Sequence, residues 1–229
     1  SLYYWGSSTV FDFCGEISPD ILKIILENID SKSQQYFYYT KRILERLTVN
    51  ALIKIFGVNF HLNDKLSNIP ILHYCVLKNN IDVVKHLVNN AKVNVNVKDC
   101  NGQTPLHIAV INSGSTPSLI VDILIQANAD VNVVDNDHKT PLHYAVSQKN
   151  SYIITNLLAH NANPNIEDIY YMTPVHIAIS YDDQGLFDLF AECIDATSKF
   201  GTMEETAFDI ALRSKAYNIL YSISCTFNV

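Results

Sequence analysis

The sequence predicts an all-α solenoid of stacked helix pairs, and three observations carry that prediction. The phrases "TPLHIAV", "TPLHYAV" and "TPVHIAI" place His107, His143 and His176 at intervals of 36 and 33 residues, with His73 another 34 residues upstream of His107. Other residues keep the same phase: Asn96, Asn132 and Asn165 stand 11 residues before a histidine, and Asp99, Asp135 and Asp168 stand 8 before it. Behind the histidines lie "NNIDVVKHLVNN", "PSLIVDILIQAN" and "NSYIITNLLAHN", whose apolar residues recur at three- and four-residue spacings. Each such segment has one helical face to bury, and a unit this small can bury it only against a neighbour.

Taken in chain order, "SPDILKIILENID" opens with a Ser-Pro-Asp helix start and continues amphipathically, and "SQQYFYYTKRILERL" predicts a second helix. Residues 1–45 are therefore expected to form a helical N-terminal segment, either a cap or a small separate domain. "TVNALIKIFGVNFHLND" reads as the second helix and hairpin of a degenerate unit that begins a repeat domain spanning 46–229. Within it the repeats are clear from about 64 to 182. Thr104, Thr140 and Thr173 sit where a helix N-cap is wanted, and each following Pro takes the first helical position, where its missing N–H costs nothing. Asn128 and Asn161 follow second helices, where a left-handed residue is expected. Gly102 suits a hairpin turn, whereas His138 and Tyr171 at the same phase predict turns that are strained or differently shaped. "INSGSTPSL" carries three extra residues between the two helices of its unit. "ETAFDIALRSKAYNILYSIS" aligns Thr206, Phe208, Asp209 and Ala211 with the Thr, Leu, His and Ala of the other units, which predicts a C-terminal capping repeat over about 200–225.

These phrases resemble ankyrin repeats. The resemblance implies helix–loop–helix units with hairpin loops projecting sideways, so the expected fold is an ankyrin-repeat solenoid behind a helical N-terminal segment. It also implies that His73, His107, His143 and His176 are structural, each bonding backbone groups between adjacent units, with Asp209 ending the row. Units stacked about 10 Å apart hold such histidines too far apart to share one metal ion at about 2.0 Å from each nitrogen. No metal site and no cofactor are expected.

Composition narrows the remaining classes. A formal charge of −7 from 16 basic and 23 acidic side chains disfavours a nucleic-acid partner. No apolar run has the length of a membrane span, and "SLYYWGSSTVFDFCG" lacks a basic head with an apolar stretch, so membrane insertion and secretion are not expected. The five cysteines, odd in number and without a Cys-x-x-Cys pair, read as reduced cytoplasmic thiols. Abundant Asn, Ile and Tyr with only 7 Gly resemble ankyrin proteins of intracellular bacteria and poxviruses, which implies a host-directed factor in the host cytoplasm.

The expected function is a scaffold that binds a protein partner, with no catalytic residues and as a monomer. By the resemblance, binding uses hairpin tips and the exposed face of first helices: Asn101, Gln103 and Ile111 in one unit, Asp137, Lys139 and Gln148 in the next, and Ile169, Tyr170, Met172 and Tyr181 in the third. "DIYYMTPVH" stands out because aromatic and Met side chains are favoured interface anchors, although Ile169 and Tyr171 could instead pack on the next unit. Asn132, with Leu124 and Asp130 before it, resembles the asparagines hydroxylated in ankyrin repeats. The competing reading is a substrate-docking arm of a cysteine-dependent enzyme, its catalytic part in the N-terminal region or outside this chain, with Cys14 in "FDFCGE" as the candidate nucleophile.

Overall fold

A computed structural model of the chain describes residues 70–89, 93–190 and 199–227. The expected helices of the first 69 residues, the degenerate unit and Cys14 lie outside them. Ten helices occur among the described residues, in five pairs: α1 (Ile71–Leu77) with α2 (Ile81–Asn89), α3 (Pro105–Ser113) with α4 (Leu119–Gln126), and α5 (Pro141–Ser147) with α6 (Ser151–Ala159). Then come α7 (Pro174–Ser180) with α8 (Gln184–Asp188), and α9 (Ala207–Ser214) with α10 (Tyr217–Phe227). The all-α prediction holds apart from one two-residue antiparallel pair, β1 (Lys199–Phe200) with β2 (Glu205–Thr206), in the last hairpin.

First helices stack on first helices in the order α1, α3, α5, α7, α9, and each also packs on the second helix of its own pair. The core is the continuous layer between them. Leu106, Leu142 and Val175 are fully buried, as are Val110, Val146 and Ile179 one turn later, and Val121, Leu124, Ile154 and Leu157 meet them from the second helices. Each fully buried Leu, Ile or Val side chain contributes on the order of 1.5–3 kcal/mol. Ala109, Ala145 and Ala178 are buried at the same phase of successive first helices, where a small side chain lets the helices stack, and Cys75, also small, takes that position in the first pair.

The turns recur with the repeat. Asn128 and Asn161 have φ of 60° and 64°, and the following N–H groups bond back to Leu124 O and Leu157 O, a left-handed helix end that Asn tolerates. Between the two helices of a pair, Asn79, Lys149, Asp182 and Lys215 have φ of 50–57°. Gly114 takes that place in the lengthened loop, at φ 55° and ψ −129°, where a side chain would be strained. Two residues before each N-cap threonine stand Gly102, His138, Tyr171 and Glu204, with φ of 72°, 57°, 60° and 52°. His138 and Tyr171 thus keep the glycine geometry and bear the strain rather than reshape the turn.

Candidate interaction surface

The histidines build the frame that carries the surface. Thr104 N–H donates to His107 Nδ1 at 3.1 Å and the Thr104 hydroxyl lies 2.9 Å from the same nitrogen. Nδ1 is therefore the acceptor, and the proton sits on Nε2, which donates to Lys139 O of the next unit at 3.0 Å. The arrangement repeats from Thr140 through His143 to Met172 O. It starts again at Thr173, where His176 Nε2 lies 3.4 Å from Glu205 Oε2 instead of a carbonyl. Asp209 keeps the capping half of this role, accepting from the Thr206 N–H and hydroxyl. Burial, the largest effect, lowers the pKa of His73, His107, His143 and His176, so the neutral tautomer that the bonds require is also the favoured charge state. Both nitrogens of His107 and His143 are committed, and among the described residues no three His, Cys, Asp or Glu side chains gather to hold a metal.

His73 departs from the pattern. Its Nε2 reaches Gln103 O at 2.8 Å, but Pro70 stands where the other units have the N-cap threonine and offers neither N–H nor hydroxyl. The His73 Nδ1 is buried without a partner.

A second frame fixes the hairpins. Asp99 Oδ1 accepts from Asn101 N–H and Gln103 N–H, Asp135 Oδ1 from Asp137 N–H and Lys139 N–H, and Asp168 Oδ1 from Tyr170 N–H and Met172 N–H. Tyr144 donates its hydroxyl to Asp135 Oδ2, and burial together with this bond pushes the phenol well above its ordinary value. Neighbouring hairpins are tied through Asn136 N–H to Asn101 O and Ile169 N–H to Asp137 O. The periodic asparagines add a ladder in which Asn96, Asn132 and Asn165 accept through Oδ1 from Asp130, Asn163 and Gly201 of the following unit. Asn132 also donates Nδ2 to Asn161 O, so both ends of its amide are engaged and hydroxylation there would require the hairpin to open.

What this frame presents differs from unit to unit. Among the expected binding residues, Asn101, Asp137, Ile169, Tyr170 and Tyr181 are exposed. Gln103, Ile111, Lys139, Gln148 and Met172 are half-buried: Gln103 Nε2 donates to the Tyr144 hydroxyl of the next unit, Gln148 Nε2 donates to Ile111 O of the preceding one, and Lys139 Nζ lies 6.0 Å above the Tyr144 ring of its own unit. Tyr170 is 69% and Tyr171 66% exposed, with Ile169 at 48%. Tyr181, the C-cap of α7 at the end away from the hairpin, sits under Lys149 Nζ, 4.8 Å from its ring centroid. Sequence reasoning placed Tyr171 among packing candidates, although a bulky residue at a glycine phase was itself the signal. It also missed Leu77 and Met203, exposed at a first-helix end and at the last hairpin.

Of the described thiols, Cys75 is buried and pushed up to about 12 by desolvation, while Cys100 and Cys225 are exposed. No helix among the described residues is long and apolar enough to cross a membrane.

No curated protein matches the chain. A family model for ankyrin repeats in three copies matches residues 44–135, 72–168 and 112–199, an overlapping span that covers more than half of the sequence and every histidine of the relay. The chain belongs to the ankyrin repeat family.

Proposed function

We propose that this protein is a scaffold that holds a protein partner on its hairpin tips and the adjoining ends of its first helices, with the tip at Ile169, Tyr170 and Tyr171 as the anchor. Ankyrin repeats generally mediate protein–protein interaction and are typically non-catalytic. One observation carries the finer reading: Tyr171 holds a left-handed φ of 60° while 66% exposed. A side chain that costs about 1 kcal/mol in backbone strain and buries little gives nothing back to the fold. Its ring is available instead for a partner, where Tyr supplies large contact area at low entropy cost. Met172 adjoins this anchor, Tyr181 lies at the far end of α7, and the polar tips at Asn101 and Asp137 form the rim. The partner is a host protein in the host cytoplasm, a reading supported by the Asn-, Ile- and Tyr-rich composition. Asn132 is a modification point that becomes available when its hairpin opens, read out as a mass shift of about +16 Da after incubation with an asparaginyl hydroxylase.

The test is affinity capture from a eukaryotic lysate with the intact chain and with Tyr170→Ala/Tyr171→Gly. Gly at 171 relieves the strain, so the variant folds at least as well at that turn and a lost partner reports on contact rather than on folding. Capture of one protein by the intact chain and its loss in the variant is the expected result. Capture unchanged by the variant would move the binding site off this tip.

A further inference from the structure

The last unit is built like an interior unit, although no further unit stands beyond it among the described residues. Position by position, Leu106, Leu142 and Val175 are fully buried by the succeeding first helix, and so are Val110, Val146 and Ile179. Their counterparts on α9 are Phe208, half-buried, and Leu212, 60% exposed. On the second helices Val121 and Ile154 are fully buried, whereas Leu220 is half-buried. A repeat face left open to solvent is ordinarily polar. This one shows the apolar residues that the same chain covers three times over.

The charges around Leu212 point to the occupant. Asp209 and Lys215 are both exposed and lie three residues to either side of it on α9 and its C-terminal cap. When two copies of α9 lie antiparallel across a two-fold axis at Leu212, Asp209 of one copy faces the partner's Lys215, and the partner's Asp209 faces Lys215 in return. That is the self-complementarity a closed two-fold interface requires. Asp209 uses Oδ2 to cap α9, which leaves Oδ1 without a hydrogen bond among the described residues. We propose that this face of α9 docks a second copy of this chain, the two copies related by a two-fold axis centred on Leu212. The pairing departs from the monomer expected from sequence and is independent of the hairpin-tip reading.

Sedimentation equilibrium of the full chain from low to high micromolar concentration tests it. The expected result is a reversible monomer–dimer equilibrium that Leu212→Lys shifts at least tenfold toward monomer. Lys215→Glu, which sets like charges opposite one another, is expected to weaken the dimer and to reverse its salt dependence, while circular dichroism confirms both variants folded. Leu212→Lys is expected to keep any partner captured through Tyr170, which separates failure of this proposal from failure of the hairpin-tip reading. A chain that is monomeric throughout, a dimer indifferent to Leu212→Lys and Lys215→Glu, or a series of higher oligomers would each overturn it.

Discussion

The hairpins at 135–139 and 168–172 share one backbone and differ in what they show to solvent. In each, a buried aspartate accepts the same two N–H groups, a left-handed non-glycine residue stands two places before an N-cap threonine, and a histidine from the preceding unit bonds the residue before that threonine. The first then exposes Asn136, Asp137 and His138, and the second exposes Ile169, Tyr170 and Tyr171. Asp, Thr and His fix the shape, and the exposed side chains are left for recognition. Strain is equal in the two turns, but only the second combines it with a contiguous aromatic surface.

The sharpest way to break the comparison is to remove the shared frame. Asp135→Ala leaves Asp137 N–H, Lys139 N–H and the Tyr144 hydroxyl without their acceptor in a site only 6% exposed. A loss of roughly 3 kcal/mol is expected, measured as a lower midpoint in urea unfolding. A midpoint unchanged from that of the intact chain would remove the aspartate from the frame.

Next in size is the effect of pH on the relay. The four buried histidines have folded-state pKa values below the ordinary 6.5, so the unfolded chain binds protons that the folded chain refuses. The stability this contributes is complete above about pH 6.5 and falls as pH drops below it. Urea midpoints measured from pH 8 to 5 should be flat at first and then decline. A rise over the acidic half would mean that the rings are protonated in the folded state.

A smaller effect sharpens the contrast between the relay's complete and incomplete links. Pro70→Thr supplies the N–H and hydroxyl that His73 Nδ1 lacks, and despite the lost rigidity of Pro a net gain of about 1 kcal/mol is expected. Thermal unfolding reads it as a rise of a few degrees, and a fall would show that His73 is satisfied in another way. Smallest of all, His138→Gly and Tyr171→Gly should each stabilise by about 0.5 kcal/mol, strain relief outweighing glycine's entropy. Destabilisation by either would mean that the side chain packs where it is now exposed.

The frame was legible in the sequence because it repeats. Thr104, Thr140 and Thr173 as caps, Asn128 and Asn161 as left-handed helix ends, and the row of histidines each follow from one residue type at one phase. The features that were not legible depend on neighbours. Gln103, Lys139 and Gln148 match the family's surface positions, yet each turns toward a partner on the stack: Gln103 to Tyr144 of the next unit, Gln148 to Ile111 of the preceding one, and Lys139 to Tyr144 of its own. Pro70 reads as an ordinary helix start until the buried His73 Nδ1 is seen beside it without a donor. The exposure of Leu212 cannot be read from its own position, which is apolar like Val110, Val146 and Ile179 at the same phase, since a side chain there is covered or bare according to its neighbours in space rather than in sequence.

The central claim is that the tip at Ile169, Tyr170 and Tyr171 touches the partner while the second-helix side does not. Site-specific photocrosslinking in lysate tests it directly, with a benzophenone side chain placed at Tyr170 or at Tyr152, an exposed tyrosine of α6 on the opposite side. The account predicts one discrete adduct from position 170 and none from position 152. An adduct from 152 with none from 170 would contradict it and place recognition on the second helices.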